Sequence, residues 1–506
     1  MREMAQPVRV PRYSTVQARQ MILDLLENDS DSDISPNDSG TDYDDHISEV
    51  SEHSDEEVVD VAHSQACPDT ASSVHNEIPN TQSRGRNRGR GRGRSRGRGG
   101  RQATAHSGGM TQTGSPMYGK NNFVWETEPP PAGRRREQDI IRMQPGVTGL
   151  STTDDIADVF QLFVTKEIVD NIVIQTNREA KWQIRKWNED NPTERRDEWN
   201  NVGDDEIRAF LGLSILAGAY KSSHEAVTYL WSEQEGRPVF TATMSRNRYT
   251  YILKYIRFDD KSTRSMRQAT DKLAPFRDIW TMFLAQLPKY YIPGTDICVD
   301  EQLVAFRGRC GFKQYIPSKP AKYGLKIWWC YDSETSYPLT GQVYLGRQPG
   351  ESREVGQGAR VVKDLVGPWR RSGRNVVADN FFSSLELVLD LLQDGLTYTG
   401  TIRSNKPQLP PEMKPSSSRE VQSSLFGFHD QLTVVSYVPK PAKAVVVISS
   451  MHHDKAVDGE AKKPEIILHY NATKSGVDNM DHLATLFTSR RKTNRYLWQI
   501  VMLDEI

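Results

Sequence analysis

Four aspartates in this 506-residue chain have the type and spacing to bind a divalent cation together. Asp300 lies in an apolar run typical of a strand, and Asp379 directly follows a second, β-branched run. Asp478 stands near a predicted helix start, and Asp481 follows three residues later, so both can share one helix face. Carboxylates brought together repel one another unless a cation joins them. The alternative is a set of unrelated, solvated surface acids, because loops are polar by default.

Carboxylate clusters of this kind suit Mg²⁺, with Mn²⁺ as the other candidate, because both ions prefer oxygen ligands and leave room for substrate phosphates. Two such ions about 3.5–4 Å apart can clamp an in-line phosphoryl displacement. The aspartates therefore indicate metal-dependent phosphoryl transfer as one hypothesis. No zinc site is visible in the sequence, because the four cysteines lack the paired spacing of metal ligands. They also form no disulfide-like framework, which indicates a reducing, intracellular setting.

The elements predicted around these acids form a mixed α/β arrangement. Strands are expected for the runs “DICVDEQLVAF”, “GLKIWWCYD”, “PLTGQVYLG”, “NVVADNFF” and “TYTGTIRS”. We expect the first strand to end at the acid pair that contains Asp300, and Asp379 to lie just past the end of the fourth. A helix follows at Leu385–Leu392, with Ser383 or Ser384 as its N-cap. A charge at a strand's carboxyl end, facing a helix start, is where α/β sheets bind ligands.

Helical patterns precede this sheet and short strands follow it. Apolar residues at spacings of three and four predict one long helix from near Ile156 and a second one capped by Asp204 or Asp205. Further helices are expected at Arg246–Ile256 and Leu273–Leu287. The tryptophans of this block are expected in the core rather than on ligand platforms: Trp182, Trp187 and Trp231. Beyond residue 405, short alternating runs predict a small β-rich insertion ahead of the last acidic helix.

The N-terminal region, residues 1–145, separates charge strongly, although the whole chain has a net charge of only −1. An acidic, serine-rich run precedes the Arg/Gly-rich tract Arg84–Arg101, and both are predicted to be disordered because neither can bury a core. Arginine neutralises phosphates in any sequence context, so nucleic-acid contact is the favoured role for the tract. Contact with the neighbouring acidic run is the alternative. No apolar run reaches membrane-spanning length, so no membrane association is expected.

Four long motifs resemble piggyBac-family transposases and occur in the same order as in that family. The first is “VDEQLVAFRGRCGFKQYIPSKPAKYGLKIWWCYDSETSYPLTGQVYLG”, which is similar to the opening of the family's catalytic region. The others are “ADNFFSSLEL”, “GTIRSNK” and “YNATKSGVDNMDHL…SRRKTNR”. The resemblance covers the chain from about residue 150 to its end, while the N-terminal region is similar only in kind, as an acidic disordered leader.

The resemblance implies an RNase H-like catalytic domain with three essential aspartates. By motif these would be Asp300, Asp379 and Asp478, with Asp481 matching a further acid near the metal ions. The family's chemistry is nicking at a transposon end, attack by the free 3′-OH to form a hairpin, and insertion at TTAA. Double-stranded DNA as partner and a homodimer follow from the same resemblance, which agrees with Mg²⁺ as cofactor. A nuclear location follows from the DNA-acting family together with the arginine tract. A domesticated or decayed DNA-binding protein without transposition activity is the alternative.

Basic residues around the first two strands and after the last acidic helix would position the DNA backbone without reading its sequence. A solvated basic face that balances the nearby acids is the other interpretation. The candidate DNA-binding residues are Arg307, Arg309, Lys313, Lys319, Lys322, Lys326, Arg490, Arg491, Lys492 and Arg495.

The predicted organisation combines these patterns with the resemblance. The fold class is α/β, an RNase H-like mixed sheet with flanking helices and a β-rich insertion, preceded by an all-helical domain and a disordered tail. The family's later helical segment is expected to be cut short here, and its C-terminal cysteine-rich zinc-binding domain is expected to be missing. The expected divisions are a tail at 1–145, a helical dimerisation and DNA-binding domain at 146–295, catalytic parts at 296–404 and 464–489, the insertion at 405–463, and a truncated helical segment at 490–506.

Overall fold

The structure is a computed structural model that describes residues 114–131, 140–149, 155–347, 352, 354–486 and 488. The predicted acidic leader and the tract Arg84–Arg101 lie outside the described residues. So do the four basic residues from Arg490 to Arg495 that the motif resemblance singles out.

Thirteen strands are present in the described part of the chain. They are β1 (Met117–Tyr118), β2 (Val124–Trp125), β3 (Gly146–Val147), β4 (Tyr291–Ile292), β5 (Asp296–Ala305), β6 (Gln314–Tyr315), β7 (Tyr323–Asp332), β8 (Pro338–Val343), β9 (Asn375–Ala378), β10 (Thr397–Thr401), β11 (Ser424–His429), β12 (Leu432–Tyr437) and β13 (Val445–Ser449). Each of the strand runs expected from the sequence contains one of them.

The α-helices fall into a block before β4 and a set around the later strands. They are α1 (Ile156–Phe163), α2 (Lys166–Asp190), α3 (Asp204–Ala219), α4 (Val227–Leu230), α5 (Pro238–Thr243), α6 (Arg246–Tyr255), α7 (Arg264–Gln268), α8 (Arg277–Leu284), α9 (Leu287–Tyr290), α10 (Gln357–Leu365), α11 (Leu385–Gln393), α12 (Glu465–Thr473) and α13 (Gly476–Leu486). Within the described residues, no helix has both the length and the apolar character needed to cross a bilayer.

Nine strands form one mixed sheet in the order β11-β12-β13-β10-β9-β5-β7, and both β6 and β8 pair with the outer side of β7. The central strands β5, β9 and β10 are parallel, and the other pairs of this sheet are antiparallel. Parallel neighbours need a crossover, and α11 supplies it between β9 and β10. The predicted mixed α/β arrangement is confirmed. The strands of the expected insertion, β11–β13, continue this same sheet.

Two apolar cores cover the two faces of the sheet. On one face, Val304 and Trp329 pack against the helical block, where the ring of Trp280 lies 5.3 Å from that of Trp329. On the other face, Val299 and Trp328 pack beneath α10 and α11. Because side chains alternate along a strand, β5 and β7 contribute to both cores. The sheet therefore separates the residues of one core from those of the other.

The helical block differs from the sequence prediction at several helix boundaries. The first predicted helix is divided into α1 and α2, because the Thr165 hydroxyl accepts a hydrogen bond from the Ile168 N–H at 3.5 Å and starts a new helix. Gly203, rather than Asp204 or Asp205, is the N-cap of α3. Both aspartates lie in the first turn, where their negative charge interacts favourably with the positive end of the helix dipole. The helix predicted at Leu273–Leu287 is shorter in the structure, where it is α8, Arg277–Leu284, and the short helix α9 begins at Leu287.

The tryptophan predictions are partly wrong. Trp231 is buried as expected, and Trp187 is half-buried. Trp182, however, is 43% exposed. The ammonium groups of Lys186 and Lys261 lie 5.3 and 4.9 Å from its ring centroid. These contacts give the exposed ring a polar environment, so hydrophobic spacing alone misplaced this side chain.

A segment that precedes the helical block in the chain packs against the β11 edge of the sheet. We call residues 114–128 the N-terminal strap. The Trp125 side chain is fully buried, and its Nε1–H donates to the Gln408 carbonyl oxygen at 2.8 Å. Glu126 and Phe428 exchange two backbone hydrogen bonds, each of 2.8 Å. The strap therefore covers part of the edge strand β11, which would otherwise expose unpaired backbone groups.

Candidate active site

Asp300 lies on β5, and Asp379 directly follows β9, the parallel strand beside it. The register pairs Val299 of β5 with Ala378 of β9, so the residue after each member of this last pair is one of the two aspartates. Cys298 and Val377, which lie two positions earlier, pack together on one face. Since side chains two apart share a face, both carboxyl groups are directed to that same face. The juxtaposition follows from strand register and could not be derived from spacing along the chain.

The expected end of the first strand is wrong, with a consequence for the site. Strand β5 continues beyond Asp300 to Ala305 because β7 pairs with it along its whole length. Its other neighbour, β9, stops at Ala378. Asp300 is therefore the first residue of β5 beyond the β9 pairing.

The turn after β9 holds the second carboxylate. Asp379 Oδ1 accepts a hydrogen bond from the Phe381 N–H at 2.9 Å, and the Asp379 carbonyl accepts one from Ser383 Oγ at 2.9 Å. Ser384 is the N-cap of α11, and its hydroxyl accepts from the Leu387 N–H at 3.1 Å. The strand thus ends on an acid because the following residues turn the chain directly into a helix.

Burial and mutual repulsion disfavour two negative charges here. Burial raises the pKa of Asp379 to about 6, and the negative charge of Glu301 contributes in the same direction. The pKa of Asp300 is raised well above its ordinary value, first by burial and then by the charges of Asp379 and Glu301. Two neighbouring carboxyl groups with raised pKa values lack sufficient positive charge around them. A bound cation would supply it.

Helix α13 brings the remaining acids to the same face. The Gln302 side-chain amide donates to Asp481 Oδ1 at 3.1 Å. Where α13 begins, a Cβ on Gly476 would lie 3.2 Å from Tyr331 Cβ, so glycine permits this close approach of helix and sheet. The charges of Asp300 and Asp478 both raise the pKa of the buried Cys298 thiol, after the larger effect of burial. Asp478 itself is exposed in the first turn of α13.

The donor set fits an oxygen-seeking divalent cation. Within the described ranges, no three His, Cys, Asp or Glu side chains already stand around one point in a way that could hold a metal ion. Asp300 and Asp379 nevertheless form a neighbouring, under-compensated pair on one face, with Asp478 approaching from α13. Carboxylate oxygens are the donors that Mg²⁺ and Mn²⁺ prefer. These residues are therefore suitable first ligands.

The candidate DNA-binding residues have different surroundings in the structure. Arg307, Arg309 and Lys322 are exposed, while the Lys313 ammonium group donates to the Gly308 carbonyl at 3.1 Å. Because these three side chains are exposed, they could contact phosphates at little desolvation cost.

Lys326 differs from the sequence expectation of a DNA contact. It is only 9% exposed, and its Nζ pairs with the Glu301 carboxylate at 2.8 Å. The same ammonium group lies 4.7 Å from the Phe381 ring centroid. Lys326 thus contacts Glu301, the residue after Asp300, and Phe381 in the turn that holds Asp379, which is a positioning arrangement rather than an exposed phosphate contact.

Sequence reasoning missed two side chains that support the site. Glu301 anchors Lys326, and Gln302 joins the sheet to α13, with its Oε1 accepting from Trp329 Nε1–H at 3.0 Å. The alternation of “VDEQL” contained part of this signal, because it puts Gln302 on the face of Asp300. The partners of both residues come from distant parts of the chain, which the pattern does not show.

Comparisons with known proteins identify the family. The family model described as Transposase IS4 matches residues 155–504. The cryo-EM structure of a piggyBac transposase synaptic complex with hairpin DNA is similar with a TM-score of 0.66 and 38% identity, covering 72% of this chain and 75% of that one. The chain belongs to the piggyBac transposase family. The resemblance of the sequence motifs is thereby confirmed.

Human members of the piggyBac family are also similar over shorter stretches. PiggyBac transposable element-derived protein 3 of Homo sapiens is 23% identical over 293 residues, which are 54% of this chain and 49% of that protein. PiggyBac transposable element-derived protein 2 of Homo sapiens is 23% identical over 345 residues, 64% of this chain and 55% of that protein. The chain thus spans about half the length of the curated piggyBac relatives it matches.

Proposed function

We propose that this protein is a metal-dependent DNA transposase that cuts and transfers DNA strands at a site formed by Asp300, Asp379 and Asp478. The observation that carries the proposal is the position of Asp300 and Asp379 directly after the last residue pair of the parallel strands β5 and β9, with α13 packed across the same face. An RNase H-like catalytic domain agrees with the central β5–β9–β10 arrangement, and the domain divisions given above remain part of the proposal.

The protein's own residues bind the ions and orient the DNA in this mechanism. Asp300, Asp379 and Asp478 would hold Mg²⁺, or Mn²⁺ in its place, with Asp481 close by. Bound there, the ions would supply the positive charge that activates the attacking oxygen and stabilises the leaving oxygen. The hydrogen bond from the Phe381 N–H fixes one oxygen of Asp379 and leaves the other for a ligand bond. The exposed cations Arg307 and Arg309 neutralise the DNA backbone at the edge of the site.

The finer steps of the family's reaction belong to the same proposal. They are nicking at a transposon end, hairpin formation by the free 3′-OH, and insertion at TTAA. The solved relative was determined as a synaptic complex with hairpin DNA, which supports the hairpin step and double-stranded DNA as the partner. A homodimer that acts in the nucleus, with the tract Arg84–Arg101 as an additional nucleic-acid contact, completes the proposed picture.

A second candidate is a piggyBac-derived DNA-binding protein that retains the fold without transposing DNA. The names of the similar human proteins, which describe them as transposable element-derived, favour keeping this candidate. The two candidates differ in one property, because only a transposase requires its carboxylates to cut DNA.

The deciding experiment is excision of a marked element, with its native flanking ends, by the wild-type chain and by Asp379→Ala. Asp430→Asn is a control for removing an acid, since the Asp430 side chain is 90% exposed and lies outside the site. We expect Mg²⁺-dependent, precise excision by the wild type and by the control, and none by Asp379→Ala. DNA binding by all three proteins without cutting by any of them would refute the transposase proposal and support the binding protein.

A further inference from the structure

Lys319 is held beside the acidic site by its own loop. The loop between β6 and β7 closes through two backbone hydrogen bonds, from Ile316 N–H to the Lys322 carbonyl at 2.8 Å and from Lys322 N–H to the Lys319 carbonyl at 3.0 Å. The Lys319 side chain then reaches across to β5, where its Nζ donates to the Glu301 carbonyl oxygen at 3.1 Å. A neutral backbone carbonyl, that of the residue after Asp300, thus holds a full positive charge.

The charge surrounding this lysine is strongly negative. Burial lowers the pKa of Lys319, yet the negative charges around it raise the pKa above its ordinary value. Four acids exert this effect: Asp300, Glu301, Asp478 and Asp481. Lys319 nevertheless forms no ion pair with any carboxylate in the described part of the chain, whereas Lys326 forms an ion pair with Glu301. Its ammonium group therefore lies within the field of the acids without being bound to one of them.

We propose that Lys319 is a further functional residue of the site, with two linked roles. In the protein without bound metal, its ammonium group occupies the negative field of the carboxylates, so an entering divalent cation must compete with it. When DNA is bound, the same group contacts a non-bridging oxygen of the phosphate that the site cuts. The second role rests on the proposed function, whereas the first requires only that the carboxylates bind a divalent cation.

The physical basis is the mobility of the lysine and the weakness of its present anchor. A lysine ammonium is a compact charge on a flexible stem, so it can move without rearranging the backbone. Its bond to a carbonyl is a charged-to-neutral contact, whereas a bond to a phosphate oxygen joins two opposite charges and is stronger. The loop hydrogen bonds fix where the stem begins and leave the end free to exchange partners.

The first test measures Mn²⁺ binding to the full chain by calorimetry, without DNA. Lys319→Met is expected to tighten the dissociation constant about three- to tenfold, because a positive charge leaves the field that the cation enters. Lys319→Arg, which keeps the charge, should stay within about twofold of the wild type, as should the exposed control Lys440→Met. Equal Mn²⁺ affinities for Lys319→Met and the wild type, or no Mn²⁺ binding by any of these proteins, would overturn the competition.

The second test measures nicking of a supercoiled plasmid at saturating Mn²⁺. Lys319→Met is expected to lower the rate about tenfold or more, with partial recovery in Lys319→Arg, because the metal is saturating and only the phosphate contact is lost. An unchanged rate in Lys319→Met would overturn the phosphate contact. A wild-type protein that binds Mn²⁺ but nicks no plasmid would overturn the phosphate contact and the proposed function, while the Mn²⁺ titration would still decide the competition by itself.

Discussion

Replacing Asp379 by asparagine should stabilise the metal-free protein while removing its activity. The folded protein raises the pKa of Asp379 from 3.8 to about 6. A carboxyl group with a raised pKa binds its proton more tightly in the folded state, so its contribution to stability falls as the pH rises through about 4 to 6. At about 1.4 kcal/mol per pKa unit, the ionised carboxylate costs the fold about 3 kcal/mol at neutral pH.

Asparagine keeps the shape and the carbonyl oxygen that accepts from the Phe381 N–H, but it has no charge. We therefore expect Asp379→Asn to raise the free energy of unfolding by about 1–3 kcal/mol at pH 7.5 in the presence of EDTA. The gain should vanish near pH 4, where the wild-type carboxyl group is protonated as well. Saturating Mg²⁺ should make the wild type more stable than Asp379→Asn, because a bound ion stabilises the folded protein that binds it.

Urea unfolding followed by tryptophan fluorescence measures this difference. The curves should be recorded for the wild type, Asp379→Asn and the exposed control Asp430→Asn at pH 4, 5.5 and 7.5. The control should change stability by less than about 0.5 kcal/mol, as surface substitutions usually do. An Asp379→Asn protein no more stable than the wild type at pH 7.5, or equally stabilised at pH 4, would show that burial and the Glu301 charge do not raise the pKa of Asp379 as we infer.

Three further substitutions test how the site and the sheet are supported. Lys326→Met should destabilise the protein by about 3–5 kcal/mol, because it leaves the Glu301 carboxylate without its positively charged partner. The double variant Lys326→Met with Glu301→Gln should recover much of this loss in a urea titration. No recovery would argue against the ion pair. Trp125→Ala should lower the free energy of unfolding by about 3–5 kcal/mol and speed proteolysis of the N-terminal strap, because the side chain is fully buried. An unchanged cleavage pattern would contradict the attachment of the strap to the sheet. Gly400→Ala should lower the melting temperature, since its Cβ would clash with the Ala378 carbonyl oxygen, whereas Gly367→Ala, with nothing within 4 Å of the new Cβ, should be tolerated.

The sequence was a sufficient guide wherever the deciding interactions are local. Alternating apolar residues predicted the strands, and the serine before α11 predicted its start, because caps and side-chain periodicity depend on residues a few positions apart. The motif resemblance predicted the family, which the comparisons confirm. The roles of Asp300, Asp379 and Asp478 remain predictions that the geometry supports.

Long-range pairing decided what the sequence could not. Whether Asp300 ends a strand depends on β7, which pairs with β5 well past the point where β9 stops. Burial of Lys326 and the position of Lys319 among four acids depend on the same folding of distant segments onto β5. The sequence by itself determined which residue types can bind a cation and which segments form strands and helices. Only the tertiary structure decided which charges meet, because strand register and helix packing bring together residues that are far apart along the chain.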